Sequence, residues 1–538
     1  MSSSTELAHS VVDELLAHGV REVVLAPGSR SGPLALALYD ADKAGALRLH
    51  VRVDERTAGF LALGMAKASR RTVPVVTTSG TAVANLHPAV LEAKHSRVRL
   101  LAISADRPAA LRGTGANQTT NQERIFGDIP YAGLAPGAEP GAEIAGLLEA
   151  AAAGPAQLNL EFDEPLITST LRWREQSGGG SAEKATALLP PAEAVVLAAG
   201  KRTVVVAGDN AGPPARILAE AGNWPLFAEP SSGSRTGHNP IGAYRLLLQH
   251  SPLAGQIDRV IVFGHPTLSR PVSALLARAD LEIIVVGEDL HGFPNKGEHS
   301  QLIPAAAVDA TDGPRWLETW REQGRLADAA IAAMIDGRDL TGYAIAREVA
   351  AAVPPCGLLY VGSSNSIRDL DLVGPPFTVG ERRLTLANRG LAGIDGTLSS
   401  AIGAALARPS TKAIAYLGDL TFLHDINGLL IGPGEPRPDL TIVVASDDGG
   451  SIFATLEQGA PEYAGSFERV YATPTGADIS GLCLAFGITH NAVDTRGALA
   501  AALTEESTGI RVIEATIGRA DRRNLTALLS DAVRDAVS

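Results

Sequence analysis

"VVASDDGGSIF", residues 443–453, joins an apolar, β-branched run to two adjacent acids and two glycines. The run reads as a buried strand, and the mutual repulsion of Asp447 and Asp448 at its end calls for a positive partner. Asp419 lies 28 residues before Asp447, in "YLGDLTF" (416–422), a second apolar strand that closes on a carboxylate. If the two strands are neighbours in a parallel sheet, Asp419 and Asp447 meet beside a glycine-rich turn that exposes backbone amides and carbonyls. Hard oxygen ligands of this kind suit magnesium, which keeps its other positions for water and phosphate. The plainer reading is that Gly-Asp and Asp-Gly are turn dipeptides.

The same unit recurs along the chain. "EVVLAPGSRS" (22–31), "LHVRVDERTAGF" (49–60), "VPVVTTSGTA" (73–82) and "RLLAISADRP" (99–108) form a first block. Each is a short apolar run that ends in a polar cluster and precedes helical periodicity, the signature of parallel α/β units. "EQSGGGSAEK" (175–184) and "LLPPAEA" (188–194) read as a linker and a fresh start. A middle block holds "RTVVVAGD" (202–209), "RVIVFGHP" (259–266), "LEIIVVGED" (281–289) and a helix over about 314–335, with "DGRDL" (336–340) as the next boundary. The last block holds "GLLYVGSS" (357–364), "RLTLANRG" (383–390), "AIAYLGDL" (413–420) and "TIVVASDD" (441–448). The expected fold is α/β, with three doubly wound parallel-sheet domains at 1–176, 186–336 and 340–538. In such sheets ligands bind beyond the carboxyl ends of the strands, where the polar clusters lie.

Composition narrows the function. At 538 residues the chain exceeds one hydrophobic core. A net charge of −13 argues against a nucleic-acid surface or a polybasic membrane anchor. The sequence shows no basic leader with an apolar core and no uninterrupted apolar run of the ~18 residues a membrane span needs. A soluble, cytoplasmic protein with neither nucleic-acid nor membrane partners is expected. Cys356 and Cys483 are the only cysteines, too few for a disulfide framework. Arginine outnumbers lysine, so each arginine has to be judged by its position.

Taken together, "YLGDLTF" and "ASDDGG" resemble the cofactor signature of the thiamine-diphosphate-dependent enzymes. The resemblance implies that the Asp419 and Asp447 side chains and the Gly449 carbonyl hold magnesium or manganese, which binds the cofactor's diphosphate. It also sets Gly418, Leu420, Thr421 and Ile452 against the cofactor. Asp447 stands where the family more usually has Asn, and Leu420 where it has Gly. The extra negative charge is offset by helix N-termini and nearby arginines. Thiamine diphosphate activates itself through its aminopyrimidine, which needs a carboxyl group against the far ring nitrogen. "VRVDERTAGFLALGMAKAS" (51–69) offers Glu55 at a strand end, ahead of an apolar helix whose packing is expected to raise its pKa. By themselves, Asp54 and Glu55 also read as a helix N-cap and a first-turn acid.

"APGSRSGPL" (26–34), "ISADRP" (103–108), "GANQTTNQ" (115–122), "VGSSNSIRDLD" (361–371) and "ANRGLAGIDG" (387–396) narrow the resemblance. They are similar to the menaquinone-pathway branch of that family, whose members decarboxylate 2-oxoglutarate and add the four-carbon remainder to isochorismate. The similarity implies Ser29, Arg30, Arg107, Asn117, Gln118, Ser364, Arg368 and Arg389 around the substrates, with Ser364 and Ile394 also near the cofactor. Both substrates are dicarboxylates, which arginine grips bidentately. Ile452, Phe453 and Leu456 are candidate pocket walls that keep out water. In this family the glutamate of one subunit serves the diphosphate-binding domain of another, so a homodimer at least, and a tetramer, are implied. The middle block has no G-x-G-x-x-G fingerprint, so no dinucleotide is predicted there, and His265 and His291 read as loop residues. Two other readings stay open: a carboligase or decarboxylase acting on pyruvate, and a non-catalytic module that binds a nucleotide or anion.

Overall fold

The computed structural model describes residues 4–167, 172–174, 194–287, 300–409, 411–506 and 508–538. The expected linker at 175–184 and His291 lie outside them. Three parallel sheets carry the fold. The first has six strands in the spatial order Arg48–Val51, Glu22–Leu25, Val73–Thr77, Leu100–Asp106, Ala156–Glu161, Tyr131–Leu134. The second has five, ordered Ser300–Ile303, Glu282–Val286, Arg259–Phe263, Thr203–Ala207, Leu226–Ala228. The third again has six, ordered Leu384–Leu386, Leu358–Val361, Ala413–Gly418, Leu440–Ser446, Ile510–Thr516, Thr489–Val493. A separate two-stranded pair joins Val195–Leu197 to Ala306–Val308.

Counted along the chain within each sheet, the first and third share the order 2-1-3-4-6-5 and the second is 2-1-3-4-5. Helices cover both faces of such sheets, so their central strands read as continuous apolar runs. Val73–Thr77, Thr203–Ala207, Arg259–Phe263 and Leu358–Val361 are buried at every position. The winding reverses between the first and third strands, and a crevice opens there at the carboxyl ends. In the first sheet that crevice lies beyond Leu25 and Thr77, and in the third beyond Val361 and Gly418. The corresponding place in the second sheet is zipped shut by backbone. The Asp209 amide donates to the His265 carbonyl at 3.2 Å, and the His265 amide donates to the Asp209 carbonyl at 3.0 Å. A Cβ on Gly208 would lie 2.1 Å from the Pro266 nitrogen, so the two strand ends meet with no room for a side chain.

By spatial contact the chain falls into two compact units: residues 1–187 with 390–410 and 424–438, and residues 188–389 with 411–423 and 439–538. Within the first unit, the helix Glu55–Ser69 crosses the helix Thr397–Leu406 at backbone contact. A Cβ on Gly64 would sit 1.9 Å from the Ser400 carbonyl oxygen, and one on Gly403 would sit 2.1 Å from that of Leu61. The Ser400 hydroxyl spans the crossing to the Phe60 carbonyl at 3.2 Å. Neither glycine sits at a positive φ; each serves by what it lacks.

Replacing Gly403 by alanine is expected to lower stability by about 1–3 kcal/mol, the usual cost of overpacking. The apparent melting temperature of the Gly403→Ala variant reports it. Gly146→Ala, in a helix where an added Cβ meets nothing within 4 Å, is the control and should be neutral or stabilising. Equal melting temperatures for the two variants would show that the crossing is not tight.

Candidate functional site

In the second unit the strands Ala413–Gly418 and Leu440–Ser446 are neighbours, with Gly418 opposite Ala445, so Asp419 and Asp447 leave the sheet side by side. Asp419 opens the helix Asp419–His424. Its Oδ1 accepts the Leu420 N–H at 2.6 Å and its Oδ2 the Gly449 N–H at 3.0 Å. Burial, followed by the neighbouring Asp447 charge, pushes the Asp419 carboxyl up to about 6. Asp447 is also raised, chiefly by burial. Asp448 does something else. Its backbone takes a left-handed φ of 51°, and its exposed Oδ1 accepts the Thr475 and Gly476 amides at 3.0 and 3.1 Å. One acid of the pair belongs to the site, and the other pins a loop.

A protein cation does stand near these acids, bound to their backbone. Arg519 Nη1 donates to the carbonyls of Asp447 at 3.0 Å and Asp448 at 2.6 Å. The turn is held from another side by the Gly450 amide, which donates to the Ala472 carbonyl at 2.7 Å; a Cβ on Gly449 would meet that oxygen at 2.5 Å. Asn365 donates to the Ser451 hydroxyl at 2.8 Å, and Ser451 hydrogen-bonds Asp447, so the end of the strand Leu358–Val361 is tied to the same turn. Among the described residues no group of three or more His, Cys, Asp or Glu side chains is arranged to hold a metal. A buried and a half-buried carboxylate side by side, both raised chiefly by burial, fit a hard divalent cation that completes its shell with backbone, water and phosphate oxygens. Gly418, Leu420 and Thr421 lie on the strand end and helix start beside them, and half-buried Ile452 and Phe453 lie in the 3₁₀ turn Ser451–Thr455. Half-buried Leu456 follows that turn.

Cations cluster in the same unit. Arg368, on the helix Asn365–Val373, donates to the Ser364 carbonyl at 2.8 Å. Burial, then repulsion from Arg389 and Arg245, pulls its pKa down to about 10. Arg389 is only 2% exposed and donates to the Thr267 hydroxyl at 3.5 Å. Arg389 and Arg245 are thus both close enough to repel Arg368, which concentrates positive charge there. Arg245 is a member that no sequence motif announced; Asp371 stands 3.9 Å from it.

In the first unit, Asp54 is the N-cap of the helix Glu55–Ser69, its Oδ1 accepting the Arg56 N–H at 2.9 Å. Burial works against its charge, but hydrogen bonds from Arg56 and Asn427 outweigh it and hold Asp54 down to about 2. With the cap supplied by Asp54, Glu55 is left for another task. Its Oε2 accepts the Asn85 side-chain N–H at 3.1 Å. Asn85 follows the strand Val73–Thr77 and Glu55 follows Arg48–Val51, so the pair spans the end of the strand Glu22–Leu25 that lies between them.

Arg30 extends from the same strand end. Its Nη1 donates to the Phe162 carbonyl at 2.8 Å, and burial, then Arg107, lowers its pKa. Arg107 Nε donates to the Asn117 carbonyl at 2.7 Å. Gln118, at a left-handed φ of 55°, exchanges hydrogen bonds with Ser79 at 2.8 and 3.1 Å. Buried Gln122 holds this loop on the sheet through the Gly80 amide at 2.9 Å and Asn159 at 3.0 Å. Ser29, Asn117 and Gln118 are exposed. Ile394 lies in the first unit, its carbonyl accepting from the Thr397 hydroxyl at 3.0 Å. The expected site residues therefore form two sets. Ser29, Arg30, Glu55, Arg107, Asn117, Gln118 and Ile394 belong to the first unit, and Ser364, Arg368, Arg389, Asp419 and Asp447, with their neighbours, to the second.

Residues 5–125 match the family model described as "Thiamine pyrophosphate enzyme, N-terminal TPP binding domain", and residues 376–515 match its C-terminal counterpart. Over almost its whole length the chain is similar to proteins named 2-succinyl-5-enolpyruvyl-6-hydroxy-3-cyclohexene-1-carboxylate synthase. The one from a Nocardioides species is 52% identical, covering 97% of each chain. Those of Kineococcus radiotolerans and Paenarthrobacter aurescens are 46% identical over 100% of each chain, and 44% identical over 99% of this chain and 98% of that one.

The raised acids set a pH dependence. Folded Asp419 holds its proton more tightly than the unfolded chain does, so its contribution to stability is present below about pH 4 and is lost as pH rises toward 6. A bound divalent cation removes that loss. The gain in melting temperature on adding magnesium with thiamine diphosphate should therefore grow between about pH 5 and 7, with protons released on binding. In Asp419→Asn both effects should shrink. A metal-induced shift that does not vary with pH would refute this assignment.

Proposed function

The chain belongs to the 2-succinyl-5-enolpyruvyl-6-hydroxy-3-cyclohexene-1-carboxylate synthases, a family of thiamine-diphosphate enzymes, and we propose that it decarboxylates 2-oxoglutarate and adds the four-carbon remainder to isochorismate. The product of menaquinone biosynthesis that gives the family its name results. The observation that carries this reading is the convergence of arginines in pairs, half-buried Arg368 with buried Arg389 and buried Arg30 with half-buried Arg107. Guanidinium groups brought close enough to repel one another suit substrates that bring two carboxylates each.

Thiamine diphosphate, when bound, supplies a nucleophilic carbon and the electron sink that decarboxylation needs. The chain's own residues bind, orient and protect. Asp419, Asp447 and the Gly449 carbonyl hold the divalent cation, magnesium or manganese. Gly418, Leu420, Thr421, Ser364, Ile394 and Ile452 enclose the cofactor. Glu55 shares a proton with the aminopyrimidine ring nitrogen through one carboxylate oxygen while Asn85 occupies the other. Arg30, Arg107, Arg368 and Arg389 grip substrate carboxylates, and Ser29, Asn117 and Gln118 donate beside them. Ile452, Phe453 and Leu456 keep water from the reacting carbon, so that it meets isochorismate before a proton.

The first and third sheets are then the pyrimidine- and diphosphate-binding domains, at 1–176 and 340–538, with a central domain at 186–336. The active assembly is a cytoplasmic homo-oligomer, a dimer at least and a tetramer on the family's pattern, in which Glu55 of one subunit serves the diphosphate-binding domain of another.

Carbon dioxide release from 2-oxoglutarate should require isochorismate, thiamine diphosphate and magnesium, and should outpace release from pyruvate. Release from pyruvate that is faster would place the chain among the pyruvate carboligases instead. Glu55→Gln should lower kcat at least about 100-fold with cofactor affinity little changed. Mixing Glu55→Gln with Asp419→Asn subunits should recover roughly a quarter of native activity, because half the dimers are mixed and each mixed dimer has one intact site. No recovery on subunit exchange would rule out a site shared between subunits.

A further inference from the structure

Glu92 lies on the helix His87–Ser96 of the first unit and is only 4% exposed. A carboxylate in that position is costly unless its charge is met. It is met by the backbone of a distant loop: Oε1 accepts the Gly390 N–H at 2.7 Å and Oε2 accepts the Leu391 N–H at 2.8 Å. The loop also rests directly on the helix. A Cβ on Gly390 would lie 2.6 Å from the Glu92 carbonyl oxygen and 2.8 Å from the Ser96 nitrogen, so only glycine fits. Capturing two consecutive amides fixes both the position and the rotation of the chain there, which one hydrogen bond would not do. The far end of the loop is held as firmly. Gly396 has a φ of 56°, and a Cβ on it would lie 1.8 Å from the Phe60 ring. Between these anchors stands Ile394, and immediately before them stands Arg389.

We propose that Glu92 is a positioning residue: by clamping the Gly390 and Leu391 amides it sets where Ile394 stands toward the cofactor and where the adjoining Arg389 stands toward a substrate carboxylate. The roles of Ile394 and Arg389 rest on the function proposed above, whereas the clamp rests on its own geometry. A carboxylate is suited to the task because both of its oxygens accept. Glutamine would turn an NH₂ group toward one of the two amides and lose that bond.

The experiment compares native protein with Glu92→Gln by hydrogen exchange, thiamine-diphosphate titration in the presence of magnesium, and steady-state kinetics. Exchange at Gly390 and Leu391 should quicken at least about ten-fold while the helix Glu55–Ser69 stays as protected as before. Cofactor affinity should fall several-fold, and kcat/KM for 2-oxoglutarate about 10- to 100-fold, as a displaced binding group does. Glu92→Asp keeps the charge but loses the reach, so it should show the same pattern, and it serves should the Gln variant not fold. Unchanged exchange at the two amides overturns the clamp. Faster exchange with cofactor affinity and kcat/KM within about two-fold of native overturns the positioning role. If native protein shows no isochorismate-dependent turnover, the proposed function fails by itself, and exchange with cofactor affinity still decides for or against Glu92.

Discussion

Asp419 and Asp447 stand side by side because two neighbouring parallel strands end at the same level, and the sheet gives neither an alternative. Asp419 is buried and Asp447 half-buried, and burial raises both, with Arg522 and Arg519 offsetting it only in part at Asp447. Arg519 is close enough to help but spends its guanidinium on the carbonyls of the turn. The backbone is thereby fixed, while the carboxylates remain available for an outside cation. The arginine sets repeat the arrangement with the sign reversed: Arg368 is lowered by burial, then by Arg389 and Arg245, and Arg30 by burial, then by Arg107.

The geometry around Glu55 follows from a different constraint, the closeness of two helix backbones. Gly64 and Gly403 let the helix that begins at Glu55 lie against Thr397–Leu406 without intervening side chains. Asp425 reinforces the second helix from its N-terminal turn, accepting from the Ser399 amide at 2.6 Å and hydroxyl at 3.0 Å; burial pushes that carboxyl up to about 7. Asn427, two residues on, donates to the capping Asp54 at 3.0 Å. Cap, crossing and second helix therefore form one assembly in which Glu55 cannot drift, and its carboxylate is left to Asn85 rather than to its own helix.

Much of this was legible in the sequence because strand ends announce themselves. A β-branched run that stops on Gly-Asp or Asp-Asp is visible locally, and the parallel order that unites Asp419 with Asp447 follows from the α/β alternation. Arg30, Arg107, Arg368 and Arg389 were visible for the same reason. What escaped was contact between segments far apart in the chain. Nothing near Glu92 predicts that its partners are the amides of residues 390 and 391, and nothing near Arg519 predicts carbonyls at 447 and 448. Nothing near Asn85 predicts that its side chain meets Glu55. The glycines at 64 and 403 sit in apolar helices whose periodicity says that they are buried but not against what. Asp448 shows the reverse limit: next to Asp447 in sequence, it points elsewhere, because a left-handed residue turns the chain between them and Gly449.

On the proposed function, the division of the arginines between two units bears on specificity. Each set has acidic neighbours, Glu164 at 3.9 Å from Arg30 and Asp371 at 3.9 Å from Arg245, yet its guanidinium groups still repel one another, and an arriving carboxylate relieves that repulsion. A substrate with one carboxylate would relieve the repulsion in one set only, and unrelieved charge discriminates more strongly than a missing methylene. The overall charge of −13 sharpens this, because anions approach against the field of the whole chain and are welcomed only where guanidinium groups are concentrated. Selectivity for dicarboxylates then needs no tight steric pocket. It arises from the repulsion between Arg368 and Arg389, and between Arg30 and Arg107, that a substrate carboxylate at each set relieves.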